Sequence, residues 1–169
     1  VLLIVPHDPI SDADGNAAPF ISWSSPEMGK SVGEEAARIY NELGWADQDI
    51  EIRIAAMEKS TIDVCMQRSD SATEAFQKAV SGFEDKVLHI PAVPETVEYA
   101  ITSMATVATA NPQVTHWLIW ACSDNPVVGA IRALEQAGFT GESIIGVGIG
   151  GQLACAEWAA PKETGFRSV

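Results

Sequence analysis

The chain is short of cysteine, short of basic residues and without any long apolar run. Its three cysteines, Cys65, Cys122 and Cys155, are odd in number and form no CxxC pair. Neither a disulfide framework nor a zinc cluster is expected from them, and each reads as a small buried apolar residue. Ten Lys and Arg stand against 23 Asp and Glu, for a net charge of −13. A nucleic-acid footprint needs a basic cluster that displaces counterions from phosphates. The chain has none, so no nucleic-acid partner is expected. No apolar stretch approaches the roughly 20 residues that cross a bilayer as a helix. There is no internal repeat and no low-complexity linker. No Ser/His/Asp or Cys/His arrangement follows the order or local motifs of a hydrolase, and the pair Glu34-Glu35 belongs to a solvated helix face. The carboxylates of Asp12-Ala13-Asp14-Gly15-Asn16 miss the calcium-loop spacing and its closing glutamate, so this stretch reads as a turn. No catalytic residue, metal ligand or cofactor is expected.

What remains is an ordinary globular composition, 47% apolar and 20% charged over 169 residues, enough for one domain that buries roughly two-thirds of its surface. The chain opens inside an apolar run, Val1–Val5, with no initiator Met, and reads as a piece cut from a larger protein. That run is a short strand ending at Pro6-His7-Asp8-Pro9. A helix then starts after Ser24, with Pro26 and Glu27 in its first turn, where the helix dipole favours an acidic group. Val32, Ala36, Tyr40 and Leu43 recur along it at helical spacing, and Gly44 ends it. Ile50–Ala55 is a strand and Met57–Met66 a polar loop. A helix follows with Arg68 near its start and Ala72, Phe76 and Val80 on its apolar face. Val87–Ile90 is a strand, Pro91–Glu95 a loop, and Val97, Ile101, Met104 and Ala108 mark a further helix.

The most informative stretch is His116–Gln152. An unbroken apolar run, Trp117–Ala121, passes through Cys122-Ser123-Asp124-Asn125 into a helix at Pro126, with Asn125 as its expected N-cap. The helix stops near Gly138, and a second apolar run, Ile144–Ile149, follows. Apolar runs without alternation belong to strands covered on both faces, as in a parallel sheet. Trp117 and Trp120, three apart on one strand, are expected in the core on opposite sides, and His89 and His116 are expected to be structural and without partners. Leu153–Ala160 is a short helix, and Gly165–Val169 a last strand. Successive βα units define an α/β fold, a doubly wound, mostly parallel sheet with helices on both faces. The loops Ser123–Asn125 and Gly150–Gln152 leave the carboxyl ends of its strands, the edge where open α/β sheets bind ligands. Gly146-Val147-Gly148-Ile149-Gly150-Gly151 formally contains GxGxxG, but its first two glycines lie within the strand run rather than in the turn. Close backbone packing is the expected reason for them, and a nucleotide-dependent enzyme is the third-ranked reading.

His116-Trp117-Leu118-Ile119 with Asp124, Gly129, Arg132-Ala133, Gly138-Phe139 and the run from Ile144 to Gly151 resemble the C-terminal lobe of periplasmic sugar-binding proteins of the type I fold, most of all its arabinose-binding members. Gly29-x-x-x-Gly33, Gly44-Trp45, Gly82-Phe83 and Thr164-Gly165-Phe166 follow in the same order, so the resemblance spans nearly the whole chain. It implies the solute-binding component of an ABC-type transporter, periplasmic or otherwise extracytoplasmic and either free or lipid-anchored. Such a protein captures a monosaccharide or polyol between two lobes and delivers it to a membrane permease. Residues 1–23 would be the last strand of the N-terminal lobe and the hinge crossover, and 24–169 the C-terminal lobe, truncated at its end. Self-association of such a piece is an accompanying expectation.

The family's sugar contacts fall on His7 and Asp8, on Trp23, whose ring suits the C–H face of a pyranose, and on Arg68, a donor fork for oxygens. The two family asparagines fall on Ser123 and Gly150. These departures bring in Gln152 as a substitute, or a different sugar or small polyol, and Asp124 completes the set. The effector-binding core of a lactose-repressor-type regulator shares the lobe and is the second reading, against which the acidic charge weighs.

Overall fold

A computed structural model describes residues 5–6 and 10–169. Strands β1 (Val5–Pro6) and β2 (Phe20–Ile21) form a small parallel pair. The main sheet holds β3 (Ile52–Glu58), β4 (Val87–Pro91), β5 (His116–Ala121), β6 (Ile144–Val147) and β7 (Phe166–Ser168). Their spatial order is β4-β3-β5-β6-β7 and every neighbouring pair is parallel. The chain winds outward from β3 to β4, crosses back, and continues through β5 to β7 on the other side. This is the doubly wound α/β sheet expected from the sequence, and its topological switch lies between β3 and β5.

Helices α1 (Ser25–Glu42) and α2 (Asp63–Ala79) cover one face, while α3 (Val97–Ala110), α4 (Asp124–Gln136) and the short α5 (Ala154–Ala159) cover the other. Strand alternation divides the core between them. Ala55, Met57, Trp117, Ile119 and Ile144 pack with α3 and α4, whereas Ile54, Ala56, Leu118, Trp120 and Ile145 pack with α1 and α2. The two tryptophans therefore face opposite sides, as expected, with their indole N–H groups buried and unpartnered. The α1–α2 contact depends on Gly29 and Gly33. A Cβ on either would stand 2.1 Å from a backbone carbonyl of α2, that of Arg68 or of Ala72.

Several expectations need correction. Pro6 is itself the last residue of β1 and pairs with Ile21, which a two-stranded ribbon permits because an edge position needs no N–H donor. The polar loop expected over Met57–Met66 shrinks to four residues' width, since β3 runs on to Glu58 and α2 already begins at Asp63. An acidic residue in that first turn suits the helix dipole. At α4 the N-cap is Ser123, and Asn125 sits inside the first turn. The cysteine expectation holds only for the burial of Cys65 and Cys122, each 6% exposed. Cys65 and Cys122 form a disulfide across 57 positions of sequence, and Cys155 is a free thiol exposed at the surface. Counting cysteines along the chain does not reveal that the first turn of α2 lies against the carboxyl end of β5.

Candidate functional site

The carboxyl edge of the sheet gathers four loops. Residues 59–62 follow β3, 92–96 follow β4, 122–123 follow β5 and 148–153 follow β6. At the switch between β3 and β5, Arg68 reaches from the second turn of α2 and donates to the carbonyl oxygen of Cys122 at 2.9 Å and to Ser25 Oγ at 3.4 Å. The disulfide fastens the same residue, Cys122, to α2. Arg68 is thus held beside Ser123, and both are half-buried.

Asp124 is only 2% exposed. Its Oδ2 accepts the Leu153 N–H at 2.7 Å, which ties the loop after β5 to the loop after β6. This carboxylate is committed to the fold, and its place in the candidate site is that of a brace. Gly150 has φ +111°, in the region that disfavours side chains, and Gly151 follows with φ +74°. Gln152 next to them is exposed. The expected packing role of the glycine run is visible at Gly146, where a Cβ would come within 2.7 Å of Ile131.

The structure brings Arg68, Ser123, Asp124, Gly150 and Gln152 to one edge of one sheet. A hollow of about 590 Å³ that includes Gly150 opens toward α1 and is lined by Met28, Val32, Glu35, Gly148 and Val169 among others, and neither Arg68, Ser123 nor Gln152 lines it. Glu35 in this hollow has its carboxyl held below the usual range by a hydrogen bond from Arg38, with a second from Ser168. Trp23 stands immediately before the N-cap of α1, 76% exposed and so open to a partner. His7 and Asp8 lie outside the described residues.

Polar groups that the sequence reading passed over converge on the same switch. Ser123 Oγ donates to Glu95 Oε1, and Lys59 Nζ lies 3.3 Å from Glu95 Oε2. Glu58, at the end of β3, accepts from Ser69 Oγ at 2.9 Å and meets His89 Nδ1 at 2.7 Å, so His89 has a partner after all. His116 likewise has one, with Nδ1 at 2.9 Å from Thr115 Oγ1. A usable signal existed in the sequence, since Glu58 and Lys59 close one parallel strand and Glu95 lies in the loop after the next. Among the described residues no group of three or more His, Cys, Asp or Glu could hold a metal ion. No helix among them is long and apolar enough to cross a membrane.

Comparison with known proteins agrees with this architecture. The L-arabinose-binding periplasmic protein of Escherichia coli strain K12 is 28% identical over 152 residues, covering 89% of this chain and 45% of that protein. The ABC transporter L-arabinose-binding periplasmic protein of Azospirillum brasilense is 29% identical over 165 residues, covering 94% and 48%. The chain thus spans about half the length of the curated relatives it matches. An ABC transporter solute-binding protein from Burkholderia multivorans superposes with a TM-score of 0.66 at 18% identity, over 92% of this chain and 52% of that one, which shows a shared fold. A family model described as periplasmic binding proteins and sugar binding domain of LacI family matches residues 46–168. With that match extending over most of the chain, from just after α1 to β7, the protein belongs to the family of periplasmic binding proteins and LacI-type sugar-binding domains.

Proposed function

We propose that this chain supplies one lobe of the solute-binding component of an ABC-type sugar transporter. Residues 1–23 act as the last strand of the partner lobe and the hinge crossover, and 24–169 form the C-terminal lobe. The protein works outside the cytoplasm, closes on a monosaccharide or related polyol and presents it to a membrane permease, without chemistry of its own. The observation that carries this reading is Arg68 held against the Cys122 carbonyl beside Ser123, at the point of the sheet where ligands of open α/β folds bind. Both curated relatives named above are periplasmic proteins and the Azospirillum brasilense one is that of an ABC transporter, which favours transport over a DNA-binding regulator.

Arg68 serves as the donor fork and Ser123 with the Gly150–Gln152 backbone as the hydroxyl-binding rim. Trp23 offers its face to the C–H side of the ring from the hinge, and His7 and Asp8 contribute further polar contacts. Lobe closure would strip water from the ligand hydroxyls, and a wrong epimer would leave buried polar groups unpaired, which is the physical source of selectivity. The exposed Ile21 and Trp23 are surfaces that a second lobe would cover, and in the isolated chain they favour self-association. Titration calorimetry of the full-length protein with L-arabinose, D-xylose, D-ribose, D-galactose and myo-inositol tests the proposal. Heat of binding with at least one is expected, and silence with all of them overturns it.

A further inference from the structure

We infer that Glu95, clamped by Lys59, fixes Ser123 as a hydrogen-bond acceptor for a ligand hydroxyl. Glu95 would then be a positioning residue that restricts the site to neutral polyhydroxyl ligands carrying a donor at that point. The inference rests on the sugar-binding reading above and deepens it.

A serine hydroxyl has one proton to give and two lone pairs to receive with. At a helix N-cap it ordinarily receives, taking an N–H from the first turn. Ser123 is the N-cap of α4 and makes no such bond. Its hydroxyl is turned instead toward Glu95, where Oγ and Oε1 are in contact. An ionised carboxylate only accepts, so the proton in this contact belongs to Ser123 and its lone pairs are left over. The second carboxylate oxygen is taken by Lys59 at 3.3 Å. That pair is mostly shielded, with side chains 30% and 20% exposed for Lys59 and Glu95.

The loops after three neighbouring strands, β4, β3 and β5, therefore supply Glu95, Lys59 and Ser123 to one short chain of hydrogen bonds. Its free end, Ser123 Oγ, belongs to a half-buried residue at the carboxyl edge of the sheet, next in sequence to Cys122, whose carbonyl oxygen accepts from Arg68. Because the Glu95 charge is already matched by Lys59, this end offers an acceptor without a net charge. A sugar hydroxyl satisfies it, whereas a hydrogen or a carboxylate in the same place does not. A serine free to rotate would accept or donate as required and would discriminate less.

The test uses calorimetry on the full-length protein, with the five ligands named above and the monodeoxy analogues of whichever binds most tightly. In the wild type, one deoxy analogue is expected to bind about tenfold more weakly than its parent, the effect of one lost hydrogen bond. Glu95→Ala is expected to weaken the parent by about the same factor and to bring that ratio close to one. Glu95→Gln, which keeps an acceptor in place, retains the ratio. Ser123→Ala removes it on its own, and adding Glu95→Ala to Ser123→Ala costs nothing further. A purely structural Glu95 would shift the melting temperature and leave the ratio intact. The inference is overturned if Glu95→Ala keeps the wild-type ratio while still binding sugar, or if the two substitutions add. Failure of the wild type to bind any of the five ligands removes the sugar-binding reading and this inference together.

Discussion

The two faces of the central sheet are covered by different chemistry. The α1–α2 side is aromatic. Phe76 meets Phe83, Tyr40 and Trp120 with ring centroids 5.1, 6.0 and 5.9 Å apart, and Tyr40 lies edge-on to Trp45 at 6.3 Å. The α3–α4 side is mainly aliphatic, built on Met104, Val127, Ile131, Leu134 and Ile119, with Trp117 and Phe166 as its large rings. The candidate site straddles the two. Arg68 comes from the aromatic layer, whereas Glu95 and Ser123 precede α3 and α4 of the aliphatic layer. The end of β5 joins them through the Arg68–Cys122 hydrogen bond and the Cys65–Cys122 disulfide, and the Lys59–Glu95 pair joins the loops that lead into α2 and α3. The rim's geometry therefore depends on how firmly the two packed layers are fastened at Cys122 and at the Lys59–Glu95 pair.

Unfastening them should have the largest effect. In the chain-entropy account, a disulfide that closes a loop of this length stabilises by about 4 kcal/mol, the sequence separation being 57. The double variant Cys65→Ser/Cys122→Ser is expected to lose about that much in urea unfolding. Sugar affinity should fall with it, because Arg68 loses a fixed partner. An unchanged unfolding midpoint would show that the two layers are held together elsewhere.

Glycines at the helix contacts distinguish the layers more finely. A Cβ at Gly29 would meet the Arg68 carbonyl at 2.1 Å, and one at Gly129 would meet the Val97 carbonyl at 2.4 Å on the other face. Overpacking of this kind costs about 2–3 kcal/mol, so Gly29→Ala and Gly129→Ala should both lower stability. Gly29→Ala alone pushes on the backbone of Arg68 and should also weaken sugar binding. Equal loss of affinity in both variants would deny any special link between the aromatic layer and the site. A smaller effect is expected at Asp124, which braces the aliphatic layer's rim. Asp124→Ala leaves the Leu153 N–H without its acceptor and should cost about 2 kcal/mol in unfolding, with Asp124→Asn milder because it keeps an oxygen there.

The layers were legible in the sequence to different degrees. Helical spacing at Val32, Ala36 and Tyr40 and the unbroken runs Trp117–Ala121 and Ile144–Ile149 announced the doubly wound sheet, because burial of strands on both faces leaves a local mark. Three-residue spacing sufficed to send Trp117 and Trp120 to opposite cores. The polar groups of the candidate site were less legible. Arg68 and Ser123 were found through resemblance, whereas Glu95, Lys59 and Glu58 were missed, since an acidic residue in a loop looks the same whether it faces solvent or a serine 28 positions away. The disulfide was missed for a related reason. What joins residues 65 and 122 is the adjacency of β3 and β5, a property of strand order that no local pattern records.

The smallest effect concerns pH, and it too separates the faces. His116 opens β5 at the amino end, with its ring 4.7 Å from that of Trp45 on the aromatic side. Burial disfavours its charged form and holds its pKa below the ordinary value of 6.5. The unfolded chain therefore takes up the proton at higher pH than the folded one. The stability contributed by neutral His116 is present above the unfolded pKa and is lost as the pH falls through the folded value. Unfolding of the wild type and of His116→Gln, compared between about pH 8 and about pH 5, should show the gap between them narrowing toward the acid end. The comparison cancels the carboxylates common to both proteins. A gap that stays constant over that range would mean that His116 keeps its proton equilibrium unchanged on folding, and that the edge of the aromatic layer is wetter at Trp45 than its packing implies.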